Sequence, residues 1–318
     1  MKKALLILNP SSGQEKARLY EGQARKKLES LFDEVEVQYT KKAGDGEIFA
    51  RAAARAHFHS VFVMGGDGTV HEGINGLASE DYRPKYGVLP LGTVNDLARS
   101  LGFSMNPSLA IHQIDLNRVQ KVDVGKVNDR YFSYVLAIGN IPEAVNETDT
   151  EEKRKFGKAA YIFRAIKELN KTVPRKYRLI ADGKEELVDT TLFIFGLQNS
   201  IGGRENFFPG ARLNDGLIHM LYFKDKKMID TLRAGAQVLI GVEGCSPNTE
   251  YRTIREARLE NLDGTLSSVN VDGDVYFTLP IDIRVLPAHL EMYFGPFDEN
   301  DRLFFDGAFF EKWQQQWE

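Results

Sequence analysis

The chain has 318 residues, a formal net charge of −4 and a single cysteine, Cys245, which excludes an intrachain disulfide and is typical of a reducing cytosol. The length predicts two domains, because it exceeds one ordinary compact core. The acidic balance argues against general nucleic-acid binding, and no apolar run is long enough to cross a bilayer.

The first part of the chain alternates strand and helix patterns. A continuous apolar run predicts a strand buried on both faces at residues 4–8. Further strands are predicted at residues 35–40, 60–64 and 86–90. Helix patterns follow them at residues 15–31, 47–56, 70–78 and 94–101. This order predicts an α/β domain with a doubly wound, mostly parallel sheet. Ligands of such sheets bind beyond the carboxyl ends of the strands.

The pattern changes near residue 121 to short alternating segments separated by Asp-Gly turns, which predicts an antiparallel β-sandwich. Its strands are predicted at residues 122–127, 131–138, 177–181, 190–196, 217–223, 265–271 and 281–286. We expect an α/β domain over residues 1–125, a sandwich domain over 126–290, and a terminal segment over 291–318 that packs back on the body. A basic amphipathic helix at 152–170 either covers a core or rests on an anionic membrane.

Two glycine-bearing turns stand out at the predicted strand ends. The run Gly65-Gly66-Asp67-Gly68-Thr69 follows the third strand, and Leu91-Gly92-Thr93-Val94-Asn95-Asp96 follows the fourth. Glycine turns that lead into helices direct backbone N–H groups and a helix dipole at phosphates. Because both turns also carry an aspartate, we expect a divalent cation between them and predict a magnesium-nucleotide site. The alternative is an ordinary strand-to-helix turn in which Asp67 caps the helix.

Other candidates depend on their position in the predicted sheet. Residues 9–13 follow the first strand at the same edge, which favours a nucleotide contact. Thr40 ends the second strand. It either forms a hydrogen bond with a ribose or base, or it has a structural capping role at the strand end. Asp123 either joins Asp67 and Asp96 around a metal through waters or has a turn or salt-bridge role.

Two acidic turns in the sandwich region each have a functional and a purely structural interpretation. Asp274, in Asp272-Gly273-Asp274, either accepts the proton of an attacking hydroxyl or belongs to a solvated tight turn. Asp215, in Asn214-Asp215-Gly216, lies either in a hairpin turn or in a cation loop that also uses neighbouring carbonyls.

Together these motifs resemble the bacterial diacylglycerol kinase catalytic family, which also includes relatives of sphingosine and ceramide kinases. The resemblance spans nearly the full length, at residues 9–13, 65–69, 91–96, 121–125, 199–203, 214–216 and 272–274. Gly-Gly-Asp-Gly-Thr is shared with NAD kinases, whereas Leu-Gly-Thr-x-Asn-Asp and the Asp-Gly-acid run are more specific.

The resemblance implies a two-domain kinase that uses ATP and Mg²⁺ in a cleft. The implied ATP contacts are Asn9, Pro10, Ser11, Ser12, Gly13, Thr40, Gly66, Asp67, Gly68, Thr69, Val70, His71, Glu72 and Thr93. Asp67, Asp96 and Asp123 would organise the catalytic magnesium and its waters, with Asp274 as general base. A second, structural magnesium would use the Asp215 carboxylate with the carbonyls of Arg212 and Leu217.

The implied function is transfer of the ATP γ-phosphate to a lipid hydroxyl, with diacylglycerol as the leading acceptor. The enzyme would be cytoplasmic and bind transiently to the inner face of the membrane. A sandwich edge could also pair two subunits into a homodimer. The family usually has glutamate where this chain has Asp274, and a misplacement of about 1 Å can cost on the order of a hundredfold in rate. The alternatives are therefore a nucleotide- or lipid-binding regulator without turnover, or a kinase of another lipid or of a soluble substrate.

Overall fold

The computed structural model describes residues 1–13, 17–139, 174–199, 207–208, 210–224, 249–264 and 267–296, apart from the side chains of residues 274–276. Three features of the sequence lie outside these residues: the helix predicted at 152–170, Cys245, and residues 297–318 of the predicted terminal segment. The described helices are α1 (Ala17–Glu29), α2 (Asp45–Arg55), α3 (Asp67–Ala78), α4 (Asp96–Ser100) and α5 (Pro107–His112). None of them is long and apolar enough to span a membrane.

The described strands belong to two sheets. They are β1 (Lys3–Leu8), β2 (Glu34–Tyr39), β3 (Ser60–Gly65), β4 (Lys85–Pro90), β5 (Val119–Val127), β6 (Arg130–Phe132), β7 (Val135–Gly139), β8 (Arg175–Ala181), β9 (Lys184–Thr190), β10 (Leu192–Gly196), β11 (Ile218–Phe223), β12 (Thr249–Ile254), β13 (Glu256–Asn261), β14 (Ser268–Val271), β15 (Asp274–Thr278) and β16 (Ile281–Tyr293).

The N-terminal part of the first sheet is parallel, with strand order β2-β1-β3-β4. β1 is buried from Ala4 onward, as its continuous apolar run predicts, and β3 is buried along its whole length. Helix α2 contributes small buried residues, such as Ala50 and Ala53, and packs closely on α3. The predicted doubly wound α/β domain is confirmed. Helix α5 is absent from the sequence prediction, although Asn106 caps it and Pro107 occupies its first turn.

The same sheet continues into the C-terminal half through β16. This strand pairs in parallel with β4 at Met292 and antiparallel with β5 and β13, and its register shifts between Leu286 and Leu290. Beyond the shift, Tyr293 is buried in the N-terminal core, where it stacks on Phe62 and its hydroxyl lies 2.7 Å from Ser60 Oγ. One sheet therefore crosses the predicted boundaries near residues 125 and 290, which stay predictions.

The second sheet is antiparallel, with strand order β12-β11-β10-β7-β14-β15. Its buried side chains, such as Phe193 and Phe195, share a core with residues of β8, β13 and β16 from the first sheet, which confirms the sandwich. The single strand predicted at 131–138 is wrong, because β6 belongs to the first sheet and β7 to the second. The chain changes sheets at Ser133 and Tyr134, whose N–H groups bind a distant carboxylate, that of Asp272.

Candidate active site

The loops after β1, β3 and β4 lie against one another at the carboxyl edge of the parallel strands. Asn9 Nδ2 donates to Thr69 Oγ1 at 3.0 Å, and a Cβ atom on Gly13 would lie 2.9 Å from the carbonyl oxygen of Leu91. Such contacts are closer than a side chain permits, so the glycines allow the loops to meet backbone to backbone. Ser11 and Ser12, next to Asn9, stay partly or fully exposed on this edge, as does Pro10.

The loops after β3 and β4 approach most closely at two glycines. A Cβ atom on Gly92 would lie 2.8 Å from the Cα atom of Gly66. Asn95 closes the second loop, since its Oδ1 accepts the N–H of Gly92 at 2.7 Å and its Nδ2 donates to the carbonyl of Gly92 at 2.8 Å. Asn95 itself has a φ of 53°, a left-handed conformation that asparagine tolerates. Its structural role is not part of the sequence prediction, although the Leu-Gly-Thr-x-Asn-Asp motif contains it.

Asp67 joins the two loops through its carboxylate. Oδ1 accepts the N–H of Asp96 at 3.0 Å, and Oδ2 accepts the N–H of Asn95 at 3.2 Å. Asp67 and Asp96 are therefore neighbours, as the sequence analysis expects. Asp67 is half-buried and Asp96 only 1% exposed, so Asp67 is the carboxylate that lies nearer to the open edge.

Helix α3 begins at Asp67, three residues earlier than predicted. Gly66 precedes it in an extended conformation, and the first helical hydrogen bond runs from Val70 N–H to the carbonyl of Gly66. The N–H groups of the first turn have no partner within a helix and carry its positive dipole end. Gly68 in this turn is exposed, as is Thr93 in the facing loop. The edge is thus suited to bind phosphate oxygens.

Three predicted ATP contacts in α3, namely Val70, His71 and Glu72, are buried or bound to another element. Val70 is 5% exposed and His71 is 2% exposed, so both side chains lie inside the protein. Both oxygens of Glu72 accept backbone N–H groups of the β2–α2 loop. The reason is helical geometry: at the start of α3, Asp67 and Gly68 keep exposed surface, whereas residues 69–71 are buried. Thr40 stays half-buried at the end of β2.

Asp272 connects the C-terminal half to α3. Its buried carboxylate accepts the N–H groups of Ser133, Tyr134 and Val135 at 3.0, 3.1 and 2.8 Å, and lies 2.8 Å from His71 Nδ1. Asp272 has a φ of 49° in the turn between β14 and β15, and Asp274 is the first residue of β15. This contact brings the turn that carries Asp274 to the helix that begins at Asp67. The sequence alone identifies the Asp-Gly turn but not this buried carboxylate.

Asp272→Asn is expected to lower the free energy of unfolding by about 2 kcal/mol, because the amide cannot accept all the bonds of the buried carboxylate. Asp182→Asn is a matched control: Asp182 has a φ of 47° in another Asp-Gly turn and also accepts two backbone N–H groups, but it is exposed. Urea denaturation of both variants tests the difference. Equal losses would contradict the special role of the buried carboxylate.

Asp123 is buried and holds two backbone segments together. Its oxygens accept the N–H groups of Gly216 at 2.6 Å and Ala288 at 2.7 Å, so it connects the Asp215 loop to the bend of β16. Burial, with a smaller effect of the nearby Asp215 charge, raises the pKa of Asp123, although both backbone hydrogen bonds oppose this shift. The predicted grouping of Asp123 with Asp67 and Asp96 around a metal through waters stays a prediction. Within the described part of the chain, no three His, Cys, Asp or Glu residues form a group that could hold a metal.

Asp215 has several donors of its own. Oδ2 accepts the N–H of Arg212 at 3.0 Å and lies 3.0 Å from His219 Nε2, and Oδ1 accepts the N–H of Leu217 at 2.9 Å. Burial opposes ionisation, but the hydrogen bond with His219 and the backbone N–H groups together lower the pKa of Asp215. His219 is buried, and its Nδ1 lies 2.7 Å from the hydroxyl of Tyr251. The His219 contact has no counterpart in the sequence prediction.

The chain matches two family models. Residues 3–127 match the diacylglycerol kinase catalytic domain, and residues 138–294 match the YegS C-terminal NAD kinase beta sandwich-like domain. The chain is 33% identical to a Streptococcus pneumoniae protein with the provisional name lipid kinase, and the match covers 93% of this chain and 99% of that protein. It is 32% identical to the diacylglycerol kinase of Staphylococcus carnosus, over 92% of this chain and 95% of that one. A crystal structure of a diacylglycerol kinase from Bacillus anthracis superposes with a TM-score of 0.79 at 26% identity, covering 93% of this chain and 98% of that one.

Proposed function

The chain belongs to the diacylglycerol kinase catalytic family and is a kinase-type enzyme, and from this premise we propose that it transfers the γ-phosphate of ATP to a lipid hydroxyl. Diacylglycerol is the proposed acceptor and phosphatidic acid the product. The observation that carries the proposal is the pair of joined glycine loops, in which Asp67 accepts the N–H groups of Asn95 and Asp96 beside the first turn of α3.

The described residues around Asp67 fit a magnesium-nucleotide. Each Asp67 oxygen accepts a backbone N–H, and carboxylate oxygens together with phosphates and waters are the ligands that magnesium prefers. When bound, the cation would neutralise charge on the transferring phosphoryl group. The amides of the α3 first turn would hold the phosphate oxygens in place.

The reaction also needs a group that accepts the proton of the lipid hydroxyl. Asp274 is proposed for this role, because Asp272 binds His71 and so places the turn next to α3. As the hydroxyl oxygen forms its bond to the γ-phosphorus, the bond to the ADP oxygen breaks and the proton passes to the Asp274 carboxylate.

The second magnesium stays a prediction, as do binding to the inner face of the membrane and the homodimer. Asp215 Oδ2 has two partners, the N–H of Arg212 and His219 Nε2, whereas Oδ1 has one, the N–H of Leu217. Oδ1 is therefore the oxygen proposed to bind the cation.

The test is a transfer assay with labelled ATP and magnesium. Purified protein is incubated with detergent micelles that contain diacylglycerol, ceramide, sphingosine or no lipid, and in parallel with NAD in solution. We expect labelled phosphatidic acid as the main product. Transfer to NAD without an interface would show a soluble-substrate kinase, and transfer to no acceptor, across salt and detergent conditions, would reject the enzyme proposal.

A further inference from the structure

The β2–α2 loop, taken as residues 40–46 and so including the first two residues of α2, is attached to helix α3 by one side chain. Glu72 Oε1 accepts the N–H of Gly44 at 2.8 Å, and Oε2 accepts the N–H of Gly46 at 2.9 Å. Both bonds connect positions 26 or more residues apart in the chain. The carboxylate therefore binds the amino end of α2 and leaves no oxygen without a partner.

The loop sequence is adapted to this contact. A Cβ atom on Gly46 would lie 2.7 Å from Glu72 Oε2, and Gly44 has a φ of 88°, so other residues would disturb the bond at either position. Asp45 secures the other end of the loop, since its Oδ2 accepts the N–H groups of Lys41 and Lys42 at 2.8 and 3.0 Å. The loop thus has a defined shape that depends on Glu72.

The strand order separates this loop from the phosphate-binding edge. β2 is two strands away from β3 in the order β2-β1-β3-β4, which corresponds to roughly 10 Å. A nucleoside triphosphate can span this distance, with its phosphates at the first turn of α3 and its ribose or base near Thr40. Because Glu72 belongs to α3 and binds the β2–α2 loop, it connects the two ends of such a ligand.

We infer that Glu72 is a positioning residue of the ATP site: it holds the β2–α2 loop against the phosphate-binding helix and so orders the nucleoside end of the site. This inference rests on the proposed function and replaces the implied direct contact of Glu72 with ATP. A carboxylate that touched the phosphates would repel them, whereas both oxygens of this one accept backbone N–H groups of residues 44 and 46.

The experiment compares two ligands by calorimetry, ATP and inorganic tripolyphosphate, each with magnesium. Glu72→Gln keeps the size of the side chain but replaces one acceptor by an NH₂ group. We expect its Kd for ATP to rise about tenfold, the equivalent of one lost hydrogen bond. The Kd for tripolyphosphate should stay unchanged, because that ligand has no nucleoside.

Two further variants provide a control and an independent test of the Glu72 contact. Glu47→Gln is the matched control, since this carboxylate at the start of α2 pairs with Arg51 and Arg130 rather than with the loop, and both Kd values should equal those of the wild type. Gly46→Ala displaces the Glu72 carboxylate from the opposite side and should reproduce the selective loss of ATP affinity, even where Glu72→Gln folds poorly.

An equal loss of affinity for ATP and tripolyphosphate would place Glu72 at the phosphates. Unchanged ATP affinity in both Glu72→Gln and Gly46→Ala would show that Glu72 does not order the nucleoside end. Either result overturns the inference. Wild-type protein that binds tripolyphosphate but not ATP would also overturn it. Wild-type protein that binds neither ligand would overturn the proposed ATP site, and this inference with it.

Discussion

Asp67→Asn is expected to lower kcat/KM for phosphoryl transfer about a thousandfold, the upper range for loss of one preorganised electrostatic group. The carboxylate accepts the N–H groups of Asn95 and Asp96, which fixes the distance between the two glycine loops proposed to bind phosphate. Asparagine has one acceptor oxygen, so its NH₂ group would face one of these N–H donors. It also removes the negative charge proposed to organise the magnesium. Initial rates with labelled ATP and diacylglycerol micelles measure the effect.

Asp115→Asn is the control for this variant. Asp115 also accepts a backbone N–H, that of Asn117 at 2.9 Å, and pairs with Arg118 at 3.6 Å, but its side chain is 43% exposed. Because exposed pairs contribute little, the control should retain the wild-type rate within about twofold. A folded Asp67→Asn enzyme with more than a tenth of wild-type kcat/KM would contradict the proposed site.

Asp274→Asn is expected to lower kcat about a thousandfold, within the range for removal of a general base, because an amide cannot accept the proton of the lipid hydroxyl. The backbone of the turn is held by Asp272 and by Asn270, whose Oδ1 accepts the N–H of Gly273 at 3.0 Å. Folding and ATP affinity should therefore be preserved. Asp282→Asn is the control, as it removes only a surface ion pair with Arg258. Wild-type turnover by a folded Asp274→Asn enzyme would assign the base to another residue.

Asp274→Glu separates the kinase from the binding regulator. Glutamate adds one methylene and restores the residue usual in the family, so kcat should rise, by up to about a hundredfold if the shorter aspartate misplaces the base by 1 Å. An unchanged kcat would show that the turn already compensates for the shorter side chain. Lipid or nucleotide binding without turnover in both the wild type and Asp274→Glu would favour the regulator.

Much of the N-terminal half is predictable from the sequence because its signals are local. Continuous apolar runs identify β1 and β3, and the glycine motifs mark the loops that meet at the sheet edge. The neighbourhood of Asp67 and Asp96 follows from strand adjacency, since both residues lie in the loops or helix starts that follow paired parallel strands. The start of α3 is less certain from sequence because glycine and aspartate are typical of both turns and first helical turns.

The sequence by itself determined the two sheet types, the glycine motifs and the family, because short-range periodicity or contiguous residues encode each of them. Only the tertiary structure decided which distant carboxylates act together. Asp123 binds Gly216 and Ala288, Asp272 binds His71, and β16 continues one sheet across both halves. These partners lie between 93 and 201 residues apart. Their contacts arise from strand pairing and core packing, which no local pattern encodes.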